Sequence, residues 1–115
     1  MEPMGQPLAR LERTMATPKI DLPMDAIAAF CQKWKITELS LFGSVLRDDF
    51  GPDSDVDVLV SFAPGGGVTF DNRVDMLDDL AGIFGREVDL VEKDSLRNPF
   101  RRHAILTSRE VIYAA

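Results

Sequence analysis

The chain is 115 residues long, 45% hydrophobic and 28% charged, which is enough for one compact core and too little for two. One cysteine and one histidine exclude a disulfide framework and a structural zinc finger, and no apolar run approaches the roughly 18 residues of a membrane span. Thirteen Lys and Arg against nineteen Asp and Glu leave a net charge of −6, so duplex nucleic acid finds no general electrostatic hold here. The N-terminus lacks the basic start, apolar middle and small-residue cleavage site of a signal peptide. A cytoplasmic α/β or α+β domain is the class that survives.

Residues 1–18 mix Pro, Gly, Gln and scattered charge without periodicity and read as a loose tail before a domain spanning 19–115. Asp21 is placed to cap a helix with Pro23 in its first turn, and Ile27, Ala28, Phe30, Cys31 and Trp34 then recur at helical spacing, with Cys31 and Trp34 in the core. Leu39, Leu41 and Phe42 make a short strand that stops at Gly43-Ser44, followed by a helical turn and a turn-rich loop from Asp48 to Ser54. Asp55 to Phe62 has strong β character, and the run Ala63 to Gly67 breaks it. Thr69 is placed to cap a helix from about Phe70 to Phe84, with Val74, Leu77, Leu80, Ala81 and Phe84 in one stripe and Gly85 as its stop. Glu87 to Val91 is a third strand, Pro99 opens a basic helix to about Thr107, and Val111 to Tyr113 adds an edge strand. The order predicts an α/β (α+β) fold, a small mixed sheet flanked by helices.

The chemistry concentrates between Phe42 and Val60. Side chains alternate along a strand, so Asp55 and Asp57 share one face about 7 Å apart while Val56, Val58 and Val60 take the other. Paired carboxylates at the mouth of a buried strand repel each other and need a compensating charge. A divalent cation with oxygen ligands is the simplest one, and Mg²⁺ suits carboxylates, phosphate oxygens and water. The third strand repeats the pattern, with Val88 and Leu90 inward and Asp89 outward. If it lies beside the second, Asp89 completes a three-carboxylate cluster able to hold two metals, and any of the three could accept a proton. Gly43-Ser44 offers the complement: backbone N–H groups free to approach a phosphate, a hydroxyl donor, and Arg47 one turn on.

Strand, Gly-Ser, ten residues, Asp-x-Asp, hydrophobic strand, helix and Val-Asp-Leu-Val together resemble the minimal nucleotidyltransferase (MNT) branch of the DNA polymerase β-like superfamily. The resemblance rests on Phe42-Gly43-Ser44, Arg47, Pro52 to Asp57 and Glu87 to Val91, and covers about residues 24–113. It implies the palm-like fold of that superfamily, with Asp55, Asp57 and Asp89 as metal ligands and catalytic carboxylates for one or two Mg²⁺. It also implies nucleotide binding by Gly43, Ser44, Arg47 and Ser54. The reaction implied is transfer of AMP from ATP to a hydroxyl, with pyrophosphate released. Proteins of this appearance commonly serve as antitoxins to a HEPN-type toxin, an RNase, and the implied acceptor is a toxin tyrosine. A hetero-complex or homo-oligomer is expected, because the chain has no second domain to grip an acceptor.

Other readings are weaker. Asp53-x-Asp55-x-Asp57 opens like an EF-hand, but Val58 and Pro64 stand where that loop needs Gly and Glu. Glycosyltransferases with an Asp-x-Asp site usually need a much larger fold. Gly65-Gly66-Gly67 lacks the Gly-Lys-Ser/Thr of a phosphate loop. His103 reads as a surface residue, Asp75, Asp78 and Asp79 as the wet side of a helix, and Arg97, Arg101, Arg102 and Arg109 as a basic face able to meet an acidic partner or a phosphate. The alternative function is a catalytically idle module that masks its partner sterically, which gives no reason for crowded carboxylates.

Overall fold

The computed structural model describes residues 20, 22–47 and 50–115. The expected tail and the Asp21 cap lie outside the described residues.

In chain order the elements are α1 (Met24–Lys33), β1 (Ile36–Phe42), a 3₁₀ turn (Gly43–Leu46), β2 (Val56–Phe62), α2 (Arg73–Phe84), β3 (Val88–Glu92), a second 3₁₀ turn (Lys93–Ser95), α3 (Pro99–Ser108) and β4 (Glu110–Ala114). The strands form one sheet in the order β3-β2-β1-β4. β1 pairs antiparallel with both β2 and β4, while β2 and β3 run parallel. Parallel neighbours need a crossover, which α2 supplies. The sheet is therefore mixed, as the order of elements predicted.

Strand alternation assigns each face its own core. Val56, Val58, Val60, Leu39, Leu41 and Leu90 join Ile27, Phe30 and Cys31 of α1 and Met76, Leu80 and Phe84 of α2 in the main cluster. Phe42 and Leu59, of opposite parity, pack on the other face against Leu96, just after the second 3₁₀ turn, and Ile105 of α3. Helices thus cover both faces, and α3 lies on the side to which Asp57 points.

Four expectations shift. α2 begins at Arg73 rather than Phe70, one turn after Thr69, which caps the entry as expected: the Thr69 N–H donates to Asn72 Oδ1 (2.7 Å), the Asn72 N–H donates to Thr69 Oγ1 (3.1 Å), and the Thr69 carbonyl accepts from the Arg73 N–H (3.1 Å). Its buried stripe is Met76, Leu80 and Phe84, and Val74, more than half a turn from Met76, is 64% exposed. Trp34 is only partly buried, resting on the core while its indole N–H donates to Asp79 (3.0 Å). Lys33 pairs with the same carboxylate at 2.9 Å, so Asp79 ties α2 to α1 instead of merely facing water.

Candidate active site

Three strands end side by side at the site. Phe42, the last residue of β1, lies opposite Asp57 of β2, and Asp57 lies opposite Asp89 of β3. Gly43 follows with φ +77°, a left-handed conformation that disfavours any side chain. A Cβ on Gly43 would also collide with the Asp57 carboxylate. Glycine is thus required twice, for its backbone angle and for the room it leaves beside Asp57.

Asp57 is half-buried while Asp55 and Asp89 are exposed. Burial raises the Asp57 carboxyl above its ordinary range, and the charges of Asp89 and Asp55 raise it further. The guanidinium groups of Arg47 and Arg101 act in the opposite sense. The parallel pairing of β2 with β3 brings Asp89 beside the Asp55 and Asp57 pair at the start of β2. They are neighbours rather than a closed ring: among the described residues, no three histidine, cysteine or carboxylate side chains are drawn in as a formed metal centre. Mutual repulsion opposes closer approach, and hard oxygen donors crowded in this way suit a hard divalent cation.

Ser44 is half-buried at the start of the Gly43–Leu46 turn, and its carbonyl accepts from the Arg47 N–H (2.9 Å). A cleft of about 340 Å³ opens between this turn and α3, with Phe42, Gly43, Leu46 and Arg47 on one wall and Ala104, Ile105 and Ser108 on the other. Ser54 behaves differently from Ser44, since its hydroxyl accepts from the Gly51 N–H (3.1 Å) and fastens the turn that leads into β2.

The α3 wall went unnoticed in the sequence, although positions 101, 104, 105 and 108 fall on one helical face. Arg101, at the head of that face, is the member of the basic group whose charge reaches Asp57. Arg109 instead pairs with Glu38 at 2.7 Å, and Arg102 donates to the Lys93 carbonyl (3.0 Å). His103 is exposed, as expected. Arg86 was also missed, and no spacing could have marked it. Its Nη1 donates to the carbonyls of both Gly51 and Ser54, each at 3.0 Å, and its guanidinium lies 4.5 Å over the Phe50 ring.

Comparison with known proteins gives a consistent picture. The family model for the nucleotidyltransferase domain matches residues 24–112. The protein adenylyltransferase MntA of Thermococcus cleftensis is 32% identical over 82 residues, 71% of this chain and 78% of that protein. A Methanocaldococcus jannaschii protein provisionally named a protein adenylyltransferase is 32% identical over 81 residues, 70% of this chain and 79% of that one. Among solved structures, a toxin–antitoxin complex with AMP-PNP superposes with a TM-score of 0.64 at 20% identity, over 79% of this chain and 73% of that one. Likeness at that identity speaks to the fold.

Proposed function

Because this chain belongs to the nucleotidyltransferase domain family, we propose that it transfers AMP from ATP to a tyrosine hydroxyl of a HEPN-type partner and so acts as an antitoxin in the cytoplasm. The observation that carries the reading is the row across the sheet: Gly43 without room for a side chain, Asp57 beside it, and Asp89 beside Asp57. A structure of a tri-AMPylated Shewanella oneidensis HEPN toxin in complex with its MNT antitoxin, similar in fold at a TM-score of 0.58 and 20% identity over 79% of this chain and 69% of that one, supports the choice of acceptor.

Asp55, Asp57 and Asp89 would hold one or two Mg²⁺. When bound, the cation supplies charge neutralisation at the phosphates and at the attacking and leaving oxygens. The remaining work falls to the protein. Gly43 and Ser44 offer backbone N–H groups and a hydroxyl to the phosphates, with Arg47 adding positive charge at the rim. The cleft between Leu46 and Ile105 has the size and apolar lining to take a flat base. The acceptor oxygen bonds to the α-phosphorus as the bond to the leaving pyrophosphate breaks. The hydroxyl proton passes to a carboxylate of the set.

Co-expression with a HEPN-type partner, followed by intact mass measurement, tests this. The expected result is a partner heavier by one or more AMP units with the wild type and unmodified with Asp57→Asn. A tight complex without added mass in either case would transfer the role to steric masking.

A further inference from the structure

The carboxylate-bearing strand enters the sheet through the turn Gly51–Asp55, so whatever fixes that turn fixes the aim of Asp55 and Asp57. Two hydrogen bonds close it locally: the Ser54 N–H donates to the Gly51 carbonyl (3.1 Å) and the Gly51 N–H donates to the Ser54 hydroxyl (3.1 Å). Arg86 binds it from outside. One nitrogen, Nη1, donates to the carbonyls at both ends of the turn, and the guanidinium covers Phe50 just before it. The chain on either side of Arg86 is itself fixed. Gly85 ends α2 in a left-handed conformation, φ +72°. The Glu87 carbonyl accepts from the Val56 N–H (3.0 Å), the first rung joining β3 to β2. Residues 85–87 thus form a bracket that grips the residue before Asp55 by its carbonyl and the residue after it by its amide.

We infer that Arg86 is a positioning residue for the carboxylate set, clamping the Gly51–Ser54 turn so that Asp55 and Asp57 meet the metal-bound nucleotide in register. It acts through the backbone. The charges that move the Asp57 carboxyl are those of Asp89, Asp55, Arg47 and Arg101, and Arg86 is not among them. A charge-assisted donor bridging two partly buried carbonyls holds more firmly than a neutral turn bond. The inference rests on the nucleotidyltransferase reading for its consequence, while the clamp itself can be tested without any reaction.

The experiment compares wild type, Arg86→Lys and Arg86→Met. Methionine keeps bulk and removes the donors; lysine keeps charge and a donor without the planar face. Amide hydrogen exchange of the full chain in a chelating buffer is expected to speed selectively at Ser54 and Val56 in Arg86→Met, with Val58 to Val60 protected as in wild type and Arg86→Lys intermediate. Transfer assays should then show an apparent Mg²⁺ requirement raised roughly tenfold to a hundredfold, as when an outer partner of a metal ligand is lost. Acceptor KM should stay unchanged. Unaltered local exchange in Arg86→Met, or a uniform loss of protection over the whole sheet, would overturn the inference. So would local loosening with a wild-type Mg²⁺ requirement. If the wild type transfers nothing, the functional reading falls by itself, and the exchange pattern still decides whether the clamp exists.

Discussion

Gly43 and Asp57 limit each other, and each can be tested by a single substitution. Gly43→Ala meets two penalties: a positive φ that costs an L-residue roughly 1–2 kcal/mol, and a methyl group in the space of the Asp57 carboxylate. The fold should survive with stability lowered by about that amount. Transfer should fall on the order of a hundredfold, since a displacement near 1 Å in a reacting group has that effect; a urea titration beside the transfer assay separates the two. Asp57→Asn should do the reverse to stability. The Asp57 carboxyl lies above its ordinary range in the folded chain, so its contribution is fully present below the unfolded carboxylate range and is lost as pH rises through the folded value. At neutral pH the ionised group weighs against the metal-free fold. In a chelating buffer the variant should melt above wild type at pH 7, with the gap narrowing as pH falls through the folded value and closed below about 4. An equal or lower Tm at pH 7 would contradict the crowding argument.

Single elements carry the site because their ends are fixed. α3 forms one wall of the cleft, and its start is set by Asn98, whose side-chain oxygen accepts from the N–H groups of Phe100 (2.9 Å) and Arg101 (3.1 Å), with Pro99 in the first turn. Asn98→Ala should cost about 1 kcal/mol in a urea unfolding curve. It should also weaken ATP binding more than acceptor binding, because the frayed turn carries Arg101. The turn after α1 is a contrasting case, with Lys35 taking a left-handed φ of +61° where glycine or asparagine is usual. Its backbone carbonyl accepts from the Ala63 N–H (2.8 Å), which ties that turn to the chain leaving β2. Asp79 acts between elements. Its hydrogen bond with Lys33 is the main cause that holds its carboxyl below the usual range, so the stability it gives α1 against α2 is present above the unfolded carboxylate range and lost as pH falls through the folded value.

At the scale of the molecule, the sheet separates duties between its faces. The face under α1 and α2 holds the larger core, and the α3 face holds a smaller one together with the carboxylates. The radius of gyration is 13.6 Å, that of a compact domain of about 100 residues. Among the described residues no helix is long and apolar enough to cross a membrane. Cys31 reports on the larger core. It is fully buried, and burial pushes its thiol up to about 12, so the reactive thiolate is scarce in the folded state. Alkylation near pH 8 should therefore proceed only through unfolding, and Asp57→Asn should slow it in step with its gain in stability. Rapid alkylation of the folded wild type would show that this core opens locally.

Much of this protein is written in local pattern. The alternation Val56, Val58, Val60 against Asp55 and Asp57 fixed which side of β2 is core, and strand, Gly-Ser and Asp-x-Asp were readable because each is set by neighbours a few residues away. The Thr69–Asn72 pair caps the entry one turn before α2 starts at Arg73, and Val74 was misjudged because hydropathy alone does not say which side of the helix meets the sheet. Other features were beyond any local reading. Asp89 joins Asp57 only because β2 and β3 are parallel neighbours in register, a pairing across more than thirty residues made by the α2 crossover. The α3 wall of the cleft and the reach of Arg86 to Gly51 and Ser54 depend likewise on which elements pack together. The sequence by itself determined the residue types and their faces, because strand and helix periods follow from backbone sterics. Only the tertiary structure decided which faces meet, because that depends on burying the whole apolar surface at once.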